Sequence, residues 1–166
     1  GKVHPRGNNF SGQIDVYDVY NGYFIGENSI SGSVRERQRL EGSTGNGSTF
    51  NLAYNTYFDH PSSLGLVEGI WSSFLDYSDI TTITIQADGT FDGSDSSGCH
   101  YSGRISAPDT SKNIYRVQLT ISNCGMFDGQ INGHATLIPT DAGDDVLFVG
   151  FGNNEMILMD LLQKQS

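Results

Sequence analysis

Tyr115-Arg116-Val117-Gln118-Leu119-Thr120-Ile121 alternates apolar and polar residues without a break. A strand sends successive side chains to opposite faces, so this run reads as a strand with one buried and one wet face. Tyr115, Val117, Leu119 and Ile121 form the inner face, and Arg116, Gln118 and Thr120 the outer one. The same period recurs upstream. Ile83, Ile85 and Ala87 alternate with Thr82, Thr84 and Gln86, and Phe50, Leu52 and Tyr54 point one way. In the run from Ile30 to Leu40, Ile30, Val34 and Leu40 oppose Ser31, Ser33, Arg35, Arg37 and Arg39, which reads as one strand.

Turn chemistry separates the runs. Asn21-Gly22, Asp88-Gly89, Asp92-Gly93 and Asp128-Gly129 tolerate positive φ and read as turns. Gly42 to Ser48 reads as a flexible connection, and Pro108 to Asn113 as a longer hairpin loop. Two segments are ambiguous. Ser62 to Phe74 has apolar residues at helix-like spacing, but Gly65 and Gly69 oppose a long helix, and a turn followed by a strand from about Gly69 is favoured. Met156 to Leu162 is almost continuously apolar and is assigned as a strand. The expectation is a single all-β domain over residues 1–166. It is an antiparallel up-and-down barrel of about eight to ten strands, with a β-sandwich as the alternative.

Composition agrees. The 166 residues include 21 glycines and only 4 prolines, with charged residues at 17%; that is below the usual quarter and fits short strands joined by polar turns. The net charge of −10 repels phosphate backbones and anionic lipid, so nucleic acid is not expected as a partner. It favours basic proteins or divalent cations, or serves solubility alone. No run approaches the length of a membrane-spanning helix. The chain opens Gly1-Lys2-Val3 without methionine and reads as processed, with room upstream for a leader or a lipid anchor.

Cys99 and Cys124 are the only cysteines. A disulfide between them fits a glycine-rich chain from an oxidising compartment; two free thiols are the alternative. Cys99–Ala107 and Ile114–Cys124 make a plausible antiparallel hairpin. Placing Cys99 opposite Cys124 would set Ile105 against Gln118, although Val117 and Leu119 are its apolar partners. A one-residue bulge between Tyr101 and Cys124 reconciles bridge and core. Closing this loop contributes about 3 kcal/mol on the chain-entropy model.

The chemistry-bearing residues form no catalytic motif. His4, His60, His100 and His134 lack metal-site spacing, and neither a metal nor another cofactor is expected. Asp88, Thr90 and Asp92 mimic the start of a calcium loop, but Cys99 stands where its glutamate belongs, and turns are the simpler reading. Asp141, Asp144 and Asp145 form a second acidic turn. Arg35, Arg37 and Arg39 make a cationic stripe, either a contact site for an anionic ligand or partner or an edge protected by charge.

Gly69-Ile70-Trp71 matches the Gly-x-Trp at a strand start in lipocalins, where the Trp packs across the barrel end, although here it lies mid-chain. A longer match combines Ile30–Val34, Leu40–Gly42, Phe50–Tyr57, Pro61–Leu64 and Leu66–Trp71. It continues through Thr82–Gly89, Ser97–Gly103, Asn113–Leu119 and Asn123-Cys124. This block order resembles a largely uncharacterised group of bacterial envelope proteins, often lipoproteins. The resemblance covers roughly residues 10–150. It implies an envelope location, periplasmic or surface-attached, a barrel-like fold and a bridged cysteine pair, and it brings no catalytic residues.

The first functional expectation is therefore a non-catalytic envelope binding module with a basic protein or another envelope component as partner. The second is a carrier with a lipocalin-like cavity, for which an interior lined by Phe, Tyr and Leu is the discriminating feature. A glycan-directed enzyme ranks third.

Overall fold

The computed structural model describes residues 1–18, 20–73, 80–140 and 145–165. The chain divides into two compact units, Gly1–Thr56 with Asn154–Ile157, and Tyr57–Asn153 with Leu158–Ser166.

The first unit is a five-stranded antiparallel sheet in chain order. Its strands are β1 (Lys2–Arg6), β2 (Asn9–Tyr17), β3 (Phe24–Arg35), β4 (Arg39–Thr44) and β5 (Thr49–Ala53). The pairing sorts residues cleanly by face. Phe10, Gly32, Gly42 and Phe50 form one row across the sheet. The two rings lean inward over the two glycines and meet at a centroid distance of 6.2 Å. A Cβ at Gly32 would lie 2.8 Å from Phe10 Cζ, so the rings occupy space that only glycine leaves open. The opposite face carries Ser11, Gln13, Ser29, Ser31, Ser33, Glu41 and Ser43.

Residues Ile30 to Leu40 are not one strand. Arg35 pairs with Arg39 across a reversal at Glu36-Arg37-Gln38. Gln38 N–H donates to the Arg35 carbonyl at 3.0 Å, and Arg37 takes the left-handed φ of 53°. The cationic stripe is thus a hairpin tip, with Arg35 and Arg39 on neighbouring strands. The expected flexible connection Gly42–Ser48 is also shorter, because β4 continues to Thr44 before the turn.

The second unit is a closed antiparallel barrel of eight strands. They are β6 (Gly69–Ser73), β7 (Thr82–Ile85), β8 (Thr90–Ser94), β9 (His100–Ser106), β10 (Tyr115–Ser122), β11 (Gly129–Ile138), β12 (Val146–Gly152) and β13 (Ile157–Lys164). Each pairs with its chain neighbours, and β13 closes on β6. This is the expected up-and-down barrel, and closure sets the sandwich aside. Its strands come from Gly69–Lys164 rather than from the whole of 1–166; the remaining five strands form the separate sheet. The strand expected from about Gly69 and the strand in Met156–Leu162 are both present, as β6 and β13. Phe74, at the end of the ambiguous helical stretch, lies outside the described residues. Asp92-Gly93, expected as a turn, sits inside β8, because the flat Gly93 lies against Ile83 on β7.

The inner face follows the predicted period. Tyr115, Val117, Leu119 and Ile121 are all buried, whereas Arg116 and Gln118 are exposed. One barrel end is sealed by a helical turn, α1 (Leu64–Val67), and the residues before it. Trp71 is fully buried, its Nε1–H donates to the Val67 carbonyl at 2.8 Å, and Lys164 Nζ stands 5.5 Å from its ring centroid. The Gly-x-Trp tripeptide therefore opens the first strand of the barrel, although it is mid-chain. Ser63 N–H meets the Tyr115 hydroxyl at 3.3 Å. Asn113 clamps the same end. Its side-chain amide donates to the Leu137 carbonyl at 2.6 Å, and its oxygen accepts from Leu137 N–H at 3.0 Å. No helix among the described residues is long and apolar enough to cross a membrane.

Candidate functional site

Alternation sends one side chain in two to the barrel interior, but the interior is not filled. Gly103 lies between Tyr101 and Ile105 on the inner face of β9, and Gly133 between Ile131 and Ala135 on β11. The Phe91 ring reaches over Gly103, and the Phe151 ring over Gly133. Both rings lean onto neighbouring strands where a Cβ would block them. A cavity of about 220 Å³ remains. Ile83 and Ile85 from β7, Phe91 from β8, and Tyr101 and Ile105 from β9 line one side. Val117, Leu119, Leu147, Val149 and Phe151 from β10 and β12 line the other, with Leu158, Asp160 and Leu162 from β13.

Among the described residues, Asp160 is the one carboxylate in this wall. It stands where β13 should carry a core residue, two positions from Leu162 and two from Leu158. Its Oδ1 accepts the adjacent Leu161 N–H at 2.7 Å. Burial pushes its pKa up, and the Leu161 hydrogen bond offsets only part of that. Sequence reading missed it, because the run Met156–Leu162 was taken by its apolar content. The signal was present: in the inward set Leu158, Asp160, Leu162, an acid breaks an apolar series.

Tyr101 contributes its ring to the wall, and its hydroxyl is engaged elsewhere. It donates to Asp95 Oδ2 at 2.6 Å. Asp95 Oδ1 also accepts from Ser97 Oγ–H at 2.7 Å, Ser97 N–H at 2.9 Å and Cys99 N–H at 3.0 Å. Burial acts to raise the Asp95 pKa, but these hydrogen bonds outweigh it and hold the carboxyl below its ordinary value.

Cys99 and Cys124 are joined in a disulfide with a Cα–Cα distance of 4.7 Å. The expected bulge is absent from the ladder, which runs regularly from Ser106↔Arg116 to His100↔Ser122 and sets Ile105 opposite Val117. The extra residue is absorbed beyond the ladder, at Asn123, whose φ is 59°. Asn is one of the few side chains that tolerates that region. Asp95 lies close to both sulfurs, but bridging leaves the trio no thiolate for a metal.

The other candidates do not converge. Asp88 accepts from Thr90 N–H and Oγ–H at 2.9 and 2.6 Å, while Asp92 faces His100 Nε2 at 3.1 Å, so the calcium-like run is spent on separate local contacts. Asp141 and Asp144 lie outside the described residues, and the Asp145 carbonyl accepts Lys164 N–H. In the stripe, Arg39 Nε pairs with Glu41 Oε2 at 2.8 Å, and Arg37 lies 5.7 Å from the Tyr54 ring centroid. The polar face of the five-stranded sheet holds an open groove that includes Lys2, His4, Gln13 and Glu27.

No protein-family model, curated protein or solved structure matches the chain.

Proposed function

We propose that the barrel is a carrier for a small, largely apolar ligand held in its interior. The observation that supports this most is the apolar cavity of about 220 Å³ walled by Phe91, Tyr101, Leu119 and Phe151. An apolar cavity of about 150 Å³ accepts benzene, and drug-sized ligands need about 300 Å³ or more. The cavity therefore suits a single ring with a short chain, or a branched aliphatic of similar size. The disulfide favours an oxidising compartment, such as the bacterial envelope that the block resemblance implies. The reading as a module for a basic protein partner rests on net charge and on a stripe now divided across a hairpin, so the carrier takes first place.

The test is calorimetric titration with ethylbenzene, a neutral single ring with a short chain, alongside Val149→Phe and Val149→Trp. Saturable 1:1 binding that weakens stepwise as the side chain grows supports the carrier. Absence of saturable binding, or equal binding by both variants with native-like folding, overturns it.

A further inference from the structure

We propose that the ligand carries a basic nitrogen, which Asp160 holds as an ion pair inside the barrel while the apolar body packs against Leu119, Val149 and Phe151. The inference rests on the carrier reading and specifies its ligand class.

Three observations carry it. First, the inward face of β13 places a carboxyl in a wall whose other described residues are apolar apart from Thr81 and the Tyr101 hydroxyl. Second, that carboxyl is under-used. A carboxylate offers about four acceptor sites, and among the described residues Asp160 receives only the Leu161 N–H. Third, among the described residues no cationic side chain lines the wall. The flanking strands β6 and β12 carry no charged residue in their described sequence. Lys164, further along β13, donates to the Leu66 carbonyl at 3.1 Å and lies over Trp71. Among the described residues of the wall, Tyr101 is the only other titratable side chain, and its hydroxyl is committed to Asp95.

An ammonium group answers this arrangement. It brings up to three donors and an opposite charge, and charge-assisted hydrogen bonds strengthen where water is scarce. A carboxylate ligand meets the reverse, since two like charges in one apolar site repel. The raised Asp160 pKa fits a group that burial leaves short of compensation, and a cation supplies that compensation.

The experiment compares 2-phenylethylamine, 2-phenylethanol and 3-phenylpropionate as displacers of ethylbenzene, followed by calorimetry, from the native protein and from Asp160→Asn. In the native protein at neutral pH, the amine is expected to bind about tenfold more tightly than the alcohol, and the anion most weakly. Its advantage shrinks as pH falls and Asp160 takes up a proton. In Asp160→Asn the amine's advantage over the alcohol disappears. Equal displacement by amine and alcohol in the native protein, at every pH, overturns the inference and leaves the carrier intact. Failure of ethylbenzene itself to bind overturns the carrier and the inference with it. The pH series on native protein gives an answer even if the variant does not fold.

Discussion

Phe91 on β8 stands directly opposite Gly103 on β9, and a Cβ added to Gly103 would lie 2.7 Å from Phe91 Cζ. Phe151 and Gly133 repeat the arrangement between β12 and β11. Phe10 with Gly32 and Phe50 with Gly42 repeat it in the sheet. Four of the 21 glycines are therefore a packing device, in which a ring and a neighbouring strand's backbone lie where a side chain would stand. Gly103→Ala should destabilise the protein by about 1–3 kcal/mol through overpacking. Urea denaturation checks this, and Gly98→Ala, at an exposed turn where nothing stands within 4 Å, isolates the backbone contribution of a glycine.

Removing the disulfide by Cys99→Ala with Cys124→Ala should cost about 3 kcal/mol on the chain-entropy model. The bridge spans a sequence separation of 25 and staples a ladder that is already regular. The fold should survive at room temperature, because the core continues through all eight barrel strands. Thermal melts with and without reductant give the measurement.

Asn113→Ala should be more damaging than its size suggests. The side chain is buried and satisfies both backbone groups of Leu137. Its loss leaves a donor and an acceptor without partners, at about 1–3 kcal/mol each. Chemical denaturation should show the loss, whereas Asn113→Asp should retain the contact to Leu137 N–H and lose the one to its carbonyl.

Two carboxyls should impose opposite pH slopes on stability. Asp95 has a lowered pKa in the fold, so the unfolded chain binds more protons. Its stabilisation is full above the unfolded value of about 4 and disappears as pH falls through the folded value. Asp160 has a raised pKa, so the folded chain binds more protons. Its effect is favourable below about 4 and is lost as pH rises through the folded value. Denaturation across a pH series should show Asp95→Asn flattening the acid limb. Asp160→Asn should flatten the decline on the other side and raise stability at neutral pH.

The barrel was legible because period two is unbroken on β7 and β10; Tyr115 to Ile121 gave its inner face residue by residue. The same rule concealed the hairpin at Glu36-Arg37-Gln38. The reversal takes three residues, so Arg35 and Arg39 stay on one face and the alternation passes through unbroken. No Gly, Asn or Pro marks the turn, and Arg37 adopts the left-handed backbone itself. Asp92-Gly93 misled in the other direction. A turn dipeptide can also be the bare spot that a neighbouring Ile83 needs. The cysteine offset was seen, but alternation could not show that Asn123, outside the ladder, would absorb it. The cavity was open to the sequence only as an alternative drawn from the barrel fold, since its presence and size depend on where the Phe91 and Phe151 rings lean, and neither composition nor spacing carries that.

The seam between β6 and β13 has a kinetic meaning. Its described pairs, Leu162↔Ser73, Gln163↔Ser72 and Lys164↔Trp71, join the first barrel strand to the last, residues about ninety apart in the chain, whereas β9 and β10 are neighbours in sequence. Hairpins form early because their ends are near in the chain, while this seam must wait for almost the whole barrel to assemble. The interior does not exist as a compartment until then. The seam's amides should be among the first in the barrel to exchange with solvent, and a molecule lodged inside would act as a clasp on the last step of folding.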